Sequence, residues 1–411
     1  MHKYLSIHLA TLCLLLLASI SPILAQCNGD RYLNSVFTAV NDTQNIKYSY
    51  SNGATGLRMD VYEPAGDINA PARPLIIMAH GGSFTAGDEN SADIVEICTR
   101  FAKHGYVAAS IQYRLANLTQ LIDSTQMIGV VLRAVHDMKA SVRYFREDAA
   151  TVNRFNIDST KIFVGGASAG AILAAHLVYL NDLTEVPTYI ADIVAANGGI
   201  DGSSGYPNHS SAVQGLINFC GGLNKAEWID AGDVPLVSIH GNVDSTVPYG
   251  HGEVLQSSGG ALFDLVTLDG SQIMHARAES EGVYNALWTI AGGEHMVHTD
   301  AAHIDQTETF VCNFLYPLVC TDVNGIESAE QFAFAVSIAP NPNQGTFHVQ
   351  LPQENGTYQV ALFDAVGKQL AQYSQVSGGT FNIAQNLAKG MYFLQVNHAK
   401  GTVTKPIVVI E

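Results

Sequence analysis

Up to about residue 316 the chain alternates two hydrophobic patterns, and beyond residue 320 a third takes over. "LIIMA" (75–79), "YVAASI" (106–111), "KIFV" (161–164) and "PLVSIH" (235–240) are short continuous apolar runs, the form of strands buried on both faces. Between them the apolar residues step by three and four. Residues 94, 95, 97, 98, 101 and 102 make one such stripe, which ends at Gly105. Ile128, Val131, Leu132, Val135, Met138, Val142 and Phe145 make a longer one. "AILAAHLVYL" (171–180) and "AAHIDQTETFVCNFLY" (301–316) read as further helices, and "IADIVAA" (190–196) and "YNALWTI" (284–290) as further strands. Such alternation predicts an α/β fold, a mostly parallel sheet with helices on both faces.

After Cys320 the texture changes. "TDVNGIESAEQFA" is polar and linker-like. "FAVSIAPNPNQGTFHVQL", "GTYQVALFDAVGKQLAQY", "GTFNIAQNLAKGMYFLQVN" and "GTVTKPIVVIE" are short alternating runs split by Gly, Asn and Pro, the signature of a small all-β sandwich. The expected organisation is a leader over 1–25, an α/β domain over 26–320, a linker over 321–334 and a β-sandwich domain over 335–411.

Composition supports this size of core: of 411 residues, 47% are hydrophobic and 14% charged. A formal net charge of −17 argues against a nucleic-acid partner, which needs a basic face. The start, "MHKYLSIHLATLCLLLLASISPILAQ", has a basic residue, a short apolar stretch and "ILA" before Gln26, as a removed signal peptide does. Ser19, Ser21 and Pro22 make that stretch short for a membrane span, so no stable span is expected in the mature chain. Loss of Cys13 leaves Cys27, Cys98, Cys220, Cys312 and Cys320 in an exported, disulfide-permissive setting. Cys312–Cys320 is the favoured pair and Cys27–Cys98 a second. No cysteine or histidine spacing resembles a zinc site, and no metal or cofactor is expected.

The chemistry lies where strands end. "GGASAG" (165–170) follows "KIFV" and precedes a helix, so Gly166-Ala167-Ser168-Ala169-Gly170 is a G-x-S-x-G turn in the place a nucleophile elbow requires. A serine needs a base, an orienting carboxylate and donors for an oxyanion. "HGGSF" (80–84) follows "LIIMA"; the N–H groups of Gly81 and Gly82, with Ala169, are the expected oxyanion donors, and Ser83 could replace one. "HGNVDSTVPY" places Asp244 after "PLVSIH", with Asp233 and Asp264 as weaker competitors. "GGEHMVHTD" places His295 after "YNALWTI"; it is preferred over His298, and His80 is expected to be structural. The order Ser168, Asp244, His295 is that of α/β-hydrolases.

Residues 30–318 resemble an α/β-hydrolase-fold serine esterase. "AHGGSF", "GYVAASIQYRL" and "GGASAG" are similar to segments of hormone-sensitive-lipase-like and acetyl-esterase-like members, and "HGNVDSTVPY" to dienelactone-hydrolase-like and polysaccharide-esterase members. The resemblance implies a secreted or surface-exposed carboxylic-ester hydrolase that needs no cofactor. Short acyl esters, acetylated or feruloylated polysaccharide and polyester are its expected substrates. A serine peptidase of the same fold and a noncatalytic surface binder are the alternatives. Residues 335–411 resemble the type A sorting domain of the type IX secretion system of Bacteroidetes, through "IAPNPNQGTFHVQL", "ALFDAVGKQL", "NLAKGMYFLQV" and "TKPIVV". That resemblance implies the secretion machinery as a partner.

Overall fold

The computed structural model describes residues 27, 30–51, 56–67, 70–117, 120, 124–186, 188–254, 267–320, 336–351, 357–365, 368–398 and 401–410. The expected leader and linker lie outside these residues. The chain divides into two compact units, Met1–Asp322 and Val323–Glu411.

The first unit is built on an eight-stranded sheet. Its strands are β1 (Val40–Ser49), β2 (Leu57–Pro64), β3 (Arg73–Ala79), β4 (Val107–Ile111), β5 (Ile157–Ala167), β6 (Leu216–Phe219), β8 (Leu236–Gly241) and β11 (Asn285–Ile290). A separate small sheet holds β7 (Gly222–Leu223), β9 (His251–Glu253) and β10 (Thr267–Gly270). The main order is β1-β2-β4-β3-β5-β6-β8-β11. β1 and β2 run antiparallel at one edge, and the six strands from β4 to β11 are parallel.

Period two divides each central strand between two cores. Leu75 and Ile77 of β3, with Val107 and Ala109 of β4, face one core, where they meet α2 (Ser124–Ala150), α3 (Ala169–Tyr179) and α4 (Thr188–Ala196). Ile76, Met78 and Ala108 face the other, under α1 (Ala92–His104) and α6 (Ile304–Val319). α5 (Ser271–Glu281) adds Met274 and Ala278 to the first core. Because both faces are covered, β3, β4, β6 and β8 are buried throughout, which is why they read as continuous apolar runs. The α1 stripe ends where expected: Gly105 takes the left-handed conformation, φ 105°, and caps the helix through Ala102 O and Phe101 O.

Two expectations fail. "IADIVAA" is helical and lies in α4, not a strand; an apolar run of this length does not distinguish the two states, and Ile190 and Val194, one helical turn apart, are its buried positions. The disulfide joins Cys27 to Cys320, with Cα atoms 5.5 Å apart, and leaves Cys98, Cys220 and Cys312 free and buried. Cys312 sits within α6 and Cys320 caps its end. Eight residues of helix rise about 12 Å, beyond the roughly 7 Å a disulfide can bridge.

The second unit is antiparallel. β12 (Ser337–Ala339), β13 (Thr346–Leu351) and β16 (Gly379–Ala384) form one sheet. β14 (Tyr358–Asp364), β15 (Gln369–Val376), β17 (Gly390–His398) and β18 (Gly401–Val409) form the other. Phe347, Val349 and Leu351 alternate with exposed neighbours along β13 and share a core with Val360, Leu362 and Leu394.

Candidate active site

β3 and β5 are neighbours where the strand order reverses, with Ala79 in register with Gly166. A parallel sheet opens a crevice there, beyond the carboxyl ends of the strands. Ser168 leaves β5 into α3 with φ 54° and ψ −119°, a left-handed backbone rare for a residue with a side chain. Its N–H donates to Phe219 O at 2.9 Å. The glycines around it are required by space. A Cβ on Gly166 would lie 2.5 Å from Ala79 O, and one on Gly170 only 2.0 Å from the same atom.

The loop after β3 packs against this turn. A Cβ at Gly81 would lie 3.4 Å from Ser168 Cβ, so the 80–84 backbone runs beside the serine. Gly82, Ser83 and Phe84 all have positive φ. Ala169 opens α3, so its N–H has no acceptor within the helix. His80 serves its own loop: its Nδ1 lies 2.6 Å from Gly81 O and its ring stacks on Tyr113 at 4.3 Å.

The other half of the site comes from β8 and β11, paired in parallel with His240 opposite Thr289. Asp244 follows β8 and His295 follows β11. His295 Nδ1 lies 2.7 Å from Asp244 Oδ2, and His295 Nε2 lies 2.9 Å from Ser168 Oγ. With Nδ1–H donating to the carboxylate, Nε2 is left to accept the serine hydroxyl proton. Asp244 Oδ1 accepts the N–H groups of Thr246 and Val247 at 2.8 and 3.0 Å, and His240 Nε2 stands 3.2 Å from Oδ2. Burial opposes charge on Asp244, but the hydrogen bonds from His240 and His295 outweigh it and hold the carboxyl well below the usual carboxylate range. Burial likewise opposes charge on His295, yet Asp244 and the neighbouring Cys220 raise its pKa to about 10.

Two of the competing residues are occupied elsewhere. His298 is buried and stacked on Phe219 at 4.6 Å, and burial lowers its pKa to about 3. Asp233 accepts the Asp230 N–H at 2.9 Å, a loop-capping role. Asp264 lies outside the described residues. Cys220 was not singled out by its sequence; it directly follows the buried strand β6, and that position is the signal that could have found it. A cavity of about 300 Å³ opens at Ser168, with walls that include Phe84, Ile128, Leu132, Ile172, Trp228 and Val247. It is predominantly apolar and within the size range of ligand pockets.

Residues 59–224 match the BD-FAE family, and residues 337–410 match the secretion system C-terminal sorting domain. Among solved structures, the propionate-bound form of a thermophilic esterase, Est2 of the planctomycete Thermogutta terrifontis, has a TM-score of 0.50 and 21% identity, covering 70% of this chain and 97% of that one. Its butyrate-bound form has a TM-score of 0.48 and 21% identity, covering 72% of this chain and 100% of that one. The non-reducing polyketide synthase atr1 of Stereocaulon alpinum is 28% identical over 138 residues, 32% of this chain. This chain spans only 5% of that enzyme's length. Among the described residues no helix is long and apolar enough to cross a membrane. The chain is an α/β-hydrolase-fold protein, esterase-like in its family match, that ends in a type IX secretion sorting domain for export to the cell surface or beyond.

Proposed function

We propose that the chain is an exported serine carboxylic-ester hydrolase whose triad is Ser168, His295 and Asp244. In this reading residues 1–25 are a removed leader, 26–320 the hydrolase, 321–334 a linker and 335–411 the sorting domain. One observation carries the reading: His295 spans from Asp244 at 2.7 Å to a backbone-strained Ser168 at 2.9 Å, beside an apolar cavity. His295 Nε2 takes the Ser168 proton as Oγ attacks the ester carbonyl. The oxyanion accepts N–H groups from Gly81, Gly82 and Ala169, and Asp244 steadies the imidazolium. His295 then passes the proton to the leaving alcohol. Water repeats the sequence on the acyl-enzyme and releases the acid. The apolar walls suit short acyl groups.

The test is labelling by a fluorophosphonate together with hydrolysis of p-nitrophenyl acetate, wild type against Ser168→Ala. The wild type should label on Ser168, and the variant should lose about 10⁶-fold in kcat while melting as a folded protein. Unchanged hydrolysis by the variant, or no labelling of the wild type, would falsify the assignment.

A further inference from the structure

β6, β8 and β11 lie side by side, and each delivers one potential metal ligand at its carboxyl end: Cys220, Asp244 and His295. One donor atom from each lies within 4.8 Å of the other two. Donors on a tetrahedral zinc ion at about 2.0–2.3 Å stand roughly 3.3–3.8 Å apart. A closure of at most about 1.5 Å between side chains therefore brings the three groups to that spacing. Sequence spacing hides such a set, because strand order brings it together rather than a local motif.

We propose that Cys220, Asp244 and His295 form a binding site for a thiophilic divalent cation, with zinc as the best fit, and that the bound ion switches the serine off. The switching, though not the binding, rests on His295 acting as the base. A thiolate, an imidazole and a carboxylate are a zinc donor set, whereas magnesium and calcium prefer oxygen alone. On binding, the Cys220 thiol and the protonated His295 ring each release a proton to water, and no electron is transferred. The side chain of His295 is 19% exposed and offers the way in.

Inhibition follows whichever ring nitrogen the ion takes. An ion on Nε2 occupies the lone pair that would accept the Ser168 proton. An ion on Nδ1 displaces the Asp244 hydrogen bond and leaves the neutral ring's one proton on Nε2. Ser168 loses its acceptor in both cases.

The experiment uses the full chain. Cobalt(II) replaces zinc as a spectroscopic probe, zinc is counted by equilibrium dialysis, and p-nitrophenyl acetate hydrolysis is followed against added zinc. The wild type should bind one ion, show a thiolate-to-cobalt charge-transfer band, and lose activity until a chelator restores it. Cys220→Ala, measured against its own zinc-free rate because Cys220 also raises the pKa of His295, should lose the band and need at least ~10-fold more zinc for half-inhibition, the worth of even an outer partner of a metal ligand. Among the described residues Cys220 alone of the free cysteines belongs to a group of three potential ligands, so the band reports Cys220. If Cys220→Ala fails to fold, Cys220→Ser takes its place, and the wild-type cobalt spectrum decides alone. No band in the wild type, or equal zinc sensitivity in the variant, overturns the proposal. If the chain hydrolyses no ester, the spectrum and the zinc count still test the metal site, so failure of the triad reading is seen separately.

Discussion

The two halves of the candidate site are held by different means. On the β3–β5 side, backbone holds Ser168: Gly166 and Gly170 let two strands, β3 and β5, and helix α3 close to distances at which no Cβ fits. On the β8–β11 side, side chains hold His295: Asp244 fixes its Nδ1, while Thr246, Val247 and His240 fix Asp244. The first arrangement is steric, and swapping a glycine changes it at once. The second is a hydrogen-bond network whose members depend on one another. Function should therefore fail differently on the two sides, through shape on one and through proton position on the other.

The largest effect is expected on the side-chain half. His295→Ala removes the only imidazole among the described residues in contact with both Ser168 and Asp244, and should lower kcat by about 10⁴–10⁶-fold with little change in melting temperature. His298→Phe keeps the aromatic stack on Phe219 and replaces a ring whose two nitrogens have no hydrogen-bond partner among the described residues. That variant should keep most of the activity. Comparable losses in both would mean that the loop as a whole, rather than the His295 pair, sets the base.

The same contrast explains what was legible in the sequence. Backbone constraints leave glycines at fixed places after strands, so "GGASAG" and "HGGSF" point to their own turns. The period-two and period-3.6 patterns gave the sheet and its flanking helices because both cores demand them. Side-chain networks leave weaker marks. His295 and His298 are three residues apart in similar company; what differs is tertiary contact, His295 with Asp244 and Ser168 and His298 with Phe219. Cys220 joins the group through the order β6-β8-β11, and Cys27 reaches Cys320 across 293 residues; neither adjacency has a local signature. "IADIVAA" fails for a third reason, since β-branched apolar residues satisfy a strand and a one-sided helix equally.

A smaller effect should come from the backbone half. Gly170→Ala forces a Cβ to within 2.0 Å of Ala79 O, which sits on buried backbone that has nowhere to move. Overpacking of this kind costs about 1–3 kcal/mol, and activity should fall with it because the turn carries Ser168. Gly129→Ala in α2 is the matched control. There the new methyl meets only the far end of the Arg133 side chain at 3.3 Å. Alanine favours a helix interior by about 0.5–1 kcal/mol over glycine. Thermal melts should move in opposite directions for the two variants. A Gly170→Ala protein that melts like the wild type would show that the elbow has slack.

The smallest effect is a displacement of the pH profile, and its sign distinguishes the roles of one residue. The pKa of His295 is raised to about 10, above an ordinary histidine near 6.5. The protonated ring favours the fold, so its contribution to stability is fully present below about pH 6.5 and is lost as pH climbs through about 10. The proposed mechanism needs the opposite state, because only the neutral ring accepts the Ser168 proton. The acid limb of kcat/KM should accordingly have its midpoint above 6.5, with hydrolysis still rising on the alkaline side of neutrality while His295's part in stability declines. A Gly170→Ala enzyme should keep that midpoint, since its defect is one of shape. A limb at or below 6.5 in the wild type would mean that burial, not Asp244 and Cys220, governs the base.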